Sequence, residues 1–502
     1  MCPNNSNNLF YQAKLPYSIM LRLASALTTI VFLSACVVGP DFTKPQTTPP
    51  KDLFDSINNA TDLPSQVVPE KLETTWWTLF NEDLLNDLQI RAQKGNLDLQ
   101  IAASRIAQSR SLVGVANSVG LPKLGLSGLY SREAVSANGL FAHLGAPDTP
   151  YDLAQTAFDA SWELDLWGYA RRTKESAEAA KDASSYFREG VGVSIAAEIA
   201  RNYLLLRLVQ TQLDVAARNQ ANAAHVLKLA LSREANGIGN RYESASAKAQ
   251  LASVKALIPR LEEQRNALMN ALALLVGEPP RALNELLAAV RGIPPVPQRV
   301  PIGLPSELAR RRPDILQAEA RLHAATAAIG MAKADFYPRI RLVGSAGLQT
   351  QGLEYFGYWS SRFFSIGPTL HLPIFEGGRL KSMLALSDAR GQEAAIVYRQ
   401  TVLRAWHEVD DALSGYAQVQ KGNEQLTQAH QQSRFAYDTA LRRYEEGADD
   451  YMKVLLAQRS LLASEMNLAE NTSHISLNMV NLYKSLGGGW AVLADDTTGE
   501  KK

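Results

Sequence analysis

The chain has 502 residues, 46% of them hydrophobic and 20% charged, with 51 Lys and Arg against 50 Asp and Glu. That length supports several cores or one long body. A formal charge of +1 excludes a polyanion binder, which needs clustered cations to neutralise phosphates, and two cysteines, Cys2 and Cys36, are too few for a Cys-rich metal site or a disulfide framework.

Residues 1–35 read as an export signal: Lys14 and Arg22 are its only charges, an apolar run extends from Leu23 to Leu33, and the small Ser34 and Ala35 precede Cys36. Leu33-Ser34-Ala35-Cys36 resembles the bacterial lipobox, whose cysteine receives a diacylglyceryl group before cleavage, so Cys36 is the expected lipidation site and new first residue. Met20 offers a second start with a shorter basic head. No later stretch reaches the ~18 uninterrupted apolar residues of a spanning helix, so any insertion of the mature chain must use strands or lipid. Residues 36–75, with Pro40, Pro45, Pro49, Pro50 and Pro64, read as an extended lipidated tether.

From Trp76-Trp77 onward the composition is helical, with interruptions that repeat. Asp98, Arg105, Gly114, Pro122 and Gly128 fall on Asp314, Arg321, Gly330, Pro338 and Gly344 at an offset of 216, and Glu198, Gly237 and Gly277 fall on Glu408, Gly447 and Gly487 at 210. One unit of helix, two strands and two helices is therefore present twice, over 76–277 and 305–490. A Pro-rich connector, 278–304, joins the copies, and 491–502 is expected to be a disordered tail.

The strands lie where each copy loses its helical period, at about 124–131, 158–167, 339–348 and 364–373. Phe158, Ala160, Trp162, Leu164 and Leu166 alternate with Asp159, Ser161, Glu163 and Asp165, and Ile340 and Leu342 alternate with Arg339 and Arg341. Each run is about as long as a tilted strand that crosses a bilayer. Tyr151, Trp162, Trp167, Tyr337, Tyr358, Trp359 and Phe375 resemble interfacial girdles. Four strands cannot close, and an open edge in lipid leaves backbone groups unpaired, so the barrel must be shared between chains.

No proline interrupts the helical pattern from about Arg171 to Asn236 or from about Arg379 to Glu446. Val402, Trp406, Val409, Leu413 and Tyr416 step by four and three, the spacing of a coiled-coil seam. Each long helix ends at a glycine turn, Gly237-Ile238-Gly239 or Gly447-Ala448-Asp449, and a return helix completes a hairpin.

An ordered set of motifs resembles the TolC-like outer-membrane efflux lipoproteins, NodT subgroup. It comprises Cys36-Val37-Val38-Gly39-Pro40, Trp76-Trp77, Leu304-Pro305-Ser306-Glu307-Leu308, Arg311-Arg312-Pro313-Asp314-Ile315, Phe336-Tyr337-Pro338, Leu372-Pro373-Ile374-Phe375, Tyr444 with Gly447, and Tyr483-Lys484-Ser485-Leu486-Gly487-Gly488-Gly489-Trp490. The resemblance implies a mainly α fold with a membrane β-barrel. It further implies a homotrimer whose 12-stranded barrel, four strands per chain, continues into a long α-helical periplasmic barrel. The implied partners are a periplasmic adaptor (membrane fusion protein), an inner-membrane pump of the resistance-nodulation-division (RND) type and outer-membrane lipid. The implied role is passive conduction of drugs or other small toxic compounds to the exterior. No cofactor is implied apart from the covalent lipid on Cys36.

In such a duct the functional residues line or gate a pore. Strand parity puts Asp159, Glu163, Asp165, Arg339, Arg341 and His371 on the polar, lumen-facing side, where they either bias passage or keep the wall wet. Asp449 and Asp450 stand where family members narrow their periplasmic end, and they equally suit capping of the return helix. Gly237, Ile238, Gly239, Arg241, Gly447 and Ala448 are the expected adaptor contacts. HExxH, Walker-type and GxSxG motifs are absent, which argues against an enzyme. The alternative of a soluble periplasmic coiled-coil adaptor lipoprotein requires one helical hairpin in a small β domain, whereas this chain repeats a strand-strand-helix-helix unit.

Overall fold

A computed structural model describes residues 37–47, 63–136, 138–139, 149–303 and 311–489. The export signal, Cys36, residues 304–308 and the 491–502 tail lie outside them. In chain order the elements are β1 (Gln66–Val68), α1 (Asp83–Gly95), α2 (Leu97–Ser118), β2 (Lys123–Glu133), β3 (Tyr151–Glu163), α3 (Tyr169–Ala235) and α4 (Arg241–Leu275). They continue with β4 (Arg299–Pro301), α5 (Pro313–Ala334), β5 (Arg339–Thr350), β6 (Arg362–His371), α6 (Arg379–Glu445) and α7 (Tyr451–Ser485). Matching helices of the two copies have equal lengths: 22 residues for α2 and α5, 67 for α3 and α6, 35 for α4 and α7. At 1.5 Å per residue the longest run for ~100 Å.

The described residues form two compact units. The first holds an antiparallel sheet of order β2-β3-β5-β6, in which the β3–β5 register joins the two copies by pairing Ala160 with Gly344 and Trp162 with Leu342. The second strand is shifted from its expected 158–167. It begins at Tyr151 and ends at Glu163. Its early start was hidden because Asp152 breaks the apolar alternation, and that carboxylate accepts from Tyr130 Oη at 3.2 Å and Arg132 at 3.3 Å. Its early end follows from helix capping. The Asp165 carboxylate accepts the N–H groups of Ala170 and Arg171, each at 3.0 Å, so the chain has already turned into α3.

In the same unit the residues following Cys36 have no regular structure yet are fixed. Val38 N–H donates to Trp167 O at 3.1 Å, and the buried Arg172 guanidinium reaches Asp41 at 2.6 Å and Glu175 at 2.7 Å. Phe42 stacks on His323 at 4.4 Å. A Cβ on Gly39 would stand 2.5 Å from Gly330 Cα, so Gly39 of the motif set and Gly330 of the repeat serve a close backbone approach.

The second unit contains the main core. Val402, Val409, Leu413 and Tyr416 are all buried, which is the seam their spacing predicts, and they share the unit with buried Ile199, Tyr203 and Leu206 of α3 and Met479 and Tyr483 of α7. Trp76 stacks on Tyr483 at 5.3 Å, a pairing worth about 1 kcal/mol beyond its area. The later part of the expected tether is not free: β1 pairs in parallel with β4, a strand within the expected connector. Next to it, the Tyr416 hydroxyl donates to Ser65 Oγ at 2.7 Å, and Ser65 N–H donates to Gln420 at 3.0 Å. Three-residue strands, one ending in proline, show no period that a sequence reading could detect.

Candidate functional site

The sheet in the first unit has two chemically opposite faces. One carries Leu124, Leu126, Phe158, Trp162, Leu342, Phe364, Ile366 and Leu370, all exposed, with Phe364 and Ile366 more than 80% so. No helix among the described residues is long and apolar enough to cross a membrane. An apolar stripe this continuous on strands of 10 to 13 residues has no place in water; it matches the lipid face of a membrane strand.

The opposite face is polar, as the parity predicts for five of the six residues. Asp159 accepts from Ser127 Oγ at 2.6 Å and from Ser345 Oγ at 2.7 Å, one donor from each neighbouring strand. Arg341 and Arg339 both reach Glu163, at 3.0 Å and 3.3 Å, and Arg339 also pairs with Asp335 at the end of α5. His371 stands across the ladder from Arg339. Asp165 is the exception: it lies beyond β3 and caps α3, with Arg171 at 3.1 Å. Strand parity assigns it no face, because the strand ends at Glu163.

The hairpin tips form a second site, in the second unit, and the repeat gives them the same backbone. Gly237 and Gly447 adopt φ of 71° and 77°, the left-handed conformation that ends α3 and α6. Asn240 then accepts Glu243 N–H at 3.0 Å, and Asp450 accepts Lys453 N–H at 3.2 Å, each capping its return helix. Asp449, whose repeat partner is Gly239, is gripped by Arg443 Nε at 2.7 Å and by Lys453 Nζ. The hydrogen bonds from Lys453 and Arg443 hold its carboxyl below the usual aspartate range. Ile238, Gly237, Arg241, Gly447 and Ala448 are exposed at these tips, and Gly239 is half-buried.

One arrangement at the tips was missed from the sequence. Arg233 lies over the Tyr444 ring at 4.7 Å and donates to the Tyr444 carbonyl at 3.0 Å. The Tyr444 hydroxyl donates to Glu243 at 3.1 Å, and burial, with Glu243 beside it, pushes that hydroxyl up to about 12. Tyr444 thereby ties the two hairpins of one chain at their tips, beside further links such as Arg459 to Gln250 at 3.0 Å and Asn219 to Glu465 at 2.7 Å. The available signal was the mismatch between repeat partners: Glu234 stands opposite Tyr444, and Glu243 opposite Lys453, at the 210 offset.

The Arg311-Arg312-Pro313-Asp314 motif is explained by burial. The Arg312 guanidinium, 8% exposed, forks onto Asp314 at 2.8 Å, Glu408 at 2.6 Å and the Ser485 carbonyl at 2.7 Å. Burial alone would lower its basicity, yet the two carboxylates raise it above the usual arginine value. It fastens the start of α5 to α6 and the end of α7 within the second unit.

The family described as Outer membrane efflux protein matches residues 89–278 and 304–488, and the chain belongs to that family as an outer-membrane channel for efflux. It is 32% identical over 433 residues to the pyoverdine export outer membrane protein OpmQ of Pseudomonas putida, covering 85% of this chain and 90% of that one. It is 30% identical over 472 residues to outer membrane protein OprJ of Pseudomonas aeruginosa, covering 93% and 95%. The solved outer-membrane channel OprN superposes with a TM-score of 0.84 at 31% identity, over 91% of this chain and all of that one.

Proposed function

We propose that three copies of this chain close their sheets into one 12-stranded barrel and form the exit duct of a tripartite efflux pump. The observation that carries this reading is the four-stranded sheet itself, with one exposed apolar face, one charged face and unpaired outer edges on β2 and β6. Edges in lipid cost several kcal/mol per unpaired group, so copies must pair edge to edge. The lipid on Cys36 tethers each copy to the outer membrane, an adaptor meets the exposed tip residues, and an RND-type inner-membrane pump supplies the work. The chain itself conducts and performs no bond chemistry. Detergent extraction tests the assembly: a heat-sensitive trimer with a discrete unit conductance supports it, and a monomer that leaves the membrane without detergent refutes it.

At the tips, the Asp449 and Asp450 carboxylates of three chains constrict the resting channel. The observation behind this is the asymmetry at equal backbone geometry, Asp449 against Gly239. In planar bilayers Asp449→Ala combined with Asp450→Ala raises the resting conductance. An unchanged conductance sinks the gate.

A further inference from the structure

The charges at the helix-proximal end of the polar sheet face enclose a cavity of about 560 Å³ in the first unit. Three arginines and three carboxylates meet there, so the formal charge cancels: Arg339 with Asp335 and Glu163, Arg341 with Glu163, and Arg379 with Glu376 at 2.7 Å. Their depths do not cancel. The side chains of Glu163, Asp335 and Glu376 are 24%, 27% and 28% exposed and that of Arg339 is 34%, whereas those of Arg341 and Arg379 are 54% and 60% exposed.

The carboxylates and Arg339 therefore form the less exposed part, which orients the Arg341 and Arg379 forks, and these two forks form the outer part that a solute meets. Arg341 engages Glu163 through one terminal nitrogen, and Arg379 engages Glu376 through Nε and one terminal nitrogen. Each fork retains a terminal N–H group not spent on its partner. Such forks match the paired oxygens of carboxylates and phosphates better than a lysine ammonium does. Because each arginine is already neutralised by its partner, an anion is held weakly, as a conduction site requires.

We propose that this cluster is an arginine-faced collar that favours anionic solutes, those bearing carboxylate or phosphate groups, where the strands give way to the helices. The inference rests on the channel reading and deepens it. Three closed copies would place six exposed forks, from Arg341 and Arg379, around one ring.

Full-length protein in planar bilayers under a KCl gradient tests it, with Arg341→Gln plus Arg379→Gln and Arg341→Lys plus Arg379→Lys as variants and inorganic phosphate as the probe. The Gln pair lowers the Cl⁻ to K⁺ permeability ratio by about threefold or more, as expected for removing unit charges at contact distance, and it abolishes the fall in chloride current that millimolar phosphate causes in the parent channel. The Lys pair, which keeps the charge but loses the fork, retains the permeability ratio and loses most of the phosphate effect. Unit conductance with an unchanged ratio in the Gln pair overturns the collar and leaves the channel standing. Absence of unit conductance in the parent protein overturns the channel reading as well.

Discussion

Arg233, in the last turn of α3, covers the ring of Tyr444, in the last turn of α6, at 4.7 Å, and donates to its carbonyl at 3.0 Å. One residue thus adds a side-chain donor to a helix-end carbonyl that already accepts the Gly447 N–H at 3.1 Å, and it holds that helix's buried aromatic in place. Opening either hairpin alone requires breaking this contact.

Tyr444→Phe keeps the ring and removes the hydrogen bond to Glu243. It weakens the coupling by about 1 kcal/mol, roughly fivefold in the balance of closed and open states. Single-channel recordings show more frequent openings at rest, and Arg233→Ala gives a larger effect because the stacked cation and the carbonyl bond go together. Openings as rare as in the parent channel for both variants would refute the coupling.

The tip is also expected to loosen in acid. The Asp449 carboxyl is depressed in the folded state by Lys453 and Arg443, so the stability it contributes is present above the ordinary aspartate value, about 4, and is lost as pH falls through the lower folded value. Amide hydrogen exchange at Ala448 and Asp449, whose N–H groups bond to Arg443 O at 2.8 Å and 3.2 Å, stays protected from neutral pH to about 4 and accelerates below it. Asp449→Asn shows weak protection throughout.

These contacts mark the limit of what the chain's order reveals. The duplication, the two long helices, the alternating strands and the glycine tips rest on local patterns with a fixed period, so they are legible without coordinates. Asp165 shows how a pattern overruns its element: apolar alternation continues through Leu164 and Leu166, but the capping demand of α3 takes the aspartate out of the strand. The β1–β4 pair brings together Gln66 and Arg299, and the Tyr444–Glu243 bond spans 201 positions; neither has a local signature. Parity places Asp159, Glu163, Arg339, Arg341 and His371 on one sheet face, but it does not encode how far each side chain is exposed, 24% for Glu163 against 54% for Arg341.

Removing Arg312 leaves Asp314, Glu408 and the Ser485 carbonyl without their shared donor. Arg312→Ala is expected to lower unfolding stability by about 3 kcal/mol. Arg312→Lys recovers only part of this, because an ammonium cannot fork onto acceptors from three elements. Denaturant unfolding in detergent measures both, and an Ala variant within 0.5 kcal/mol of the parent, the range typical of a plain surface change, contradicts the fastener role.

The seam between the two copies within the sheet has a sharper test. A Cβ at Gly347 would stand 2.0 Å from the Thr156 carbonyl oxygen, whereas one at Gly344 would find its nearest neighbour at 3.7 Å. Gly347→Ala therefore breaks the β3–β5 ladder and abolishes the heat-sensitive oligomer band in unheated detergent gels. Gly344→Ala leaves the band unchanged.

Equal helix lengths in the two copies carry a consequence for symmetry. With α3 and α6 at 67 residues each and α4 and α7 at 35, the duplicated hairpins match in length, and at their tips they differ by Gly239 against Asp449, Glu243 against Lys453, and Glu234 against Tyr444. The proposed three-chain ring would carry six hairpins of matched length whose tips are equivalent only in threes. Divergence after duplication could therefore specialise alternate positions of the ring one side chain at a time, without altering the length or geometry of its wall.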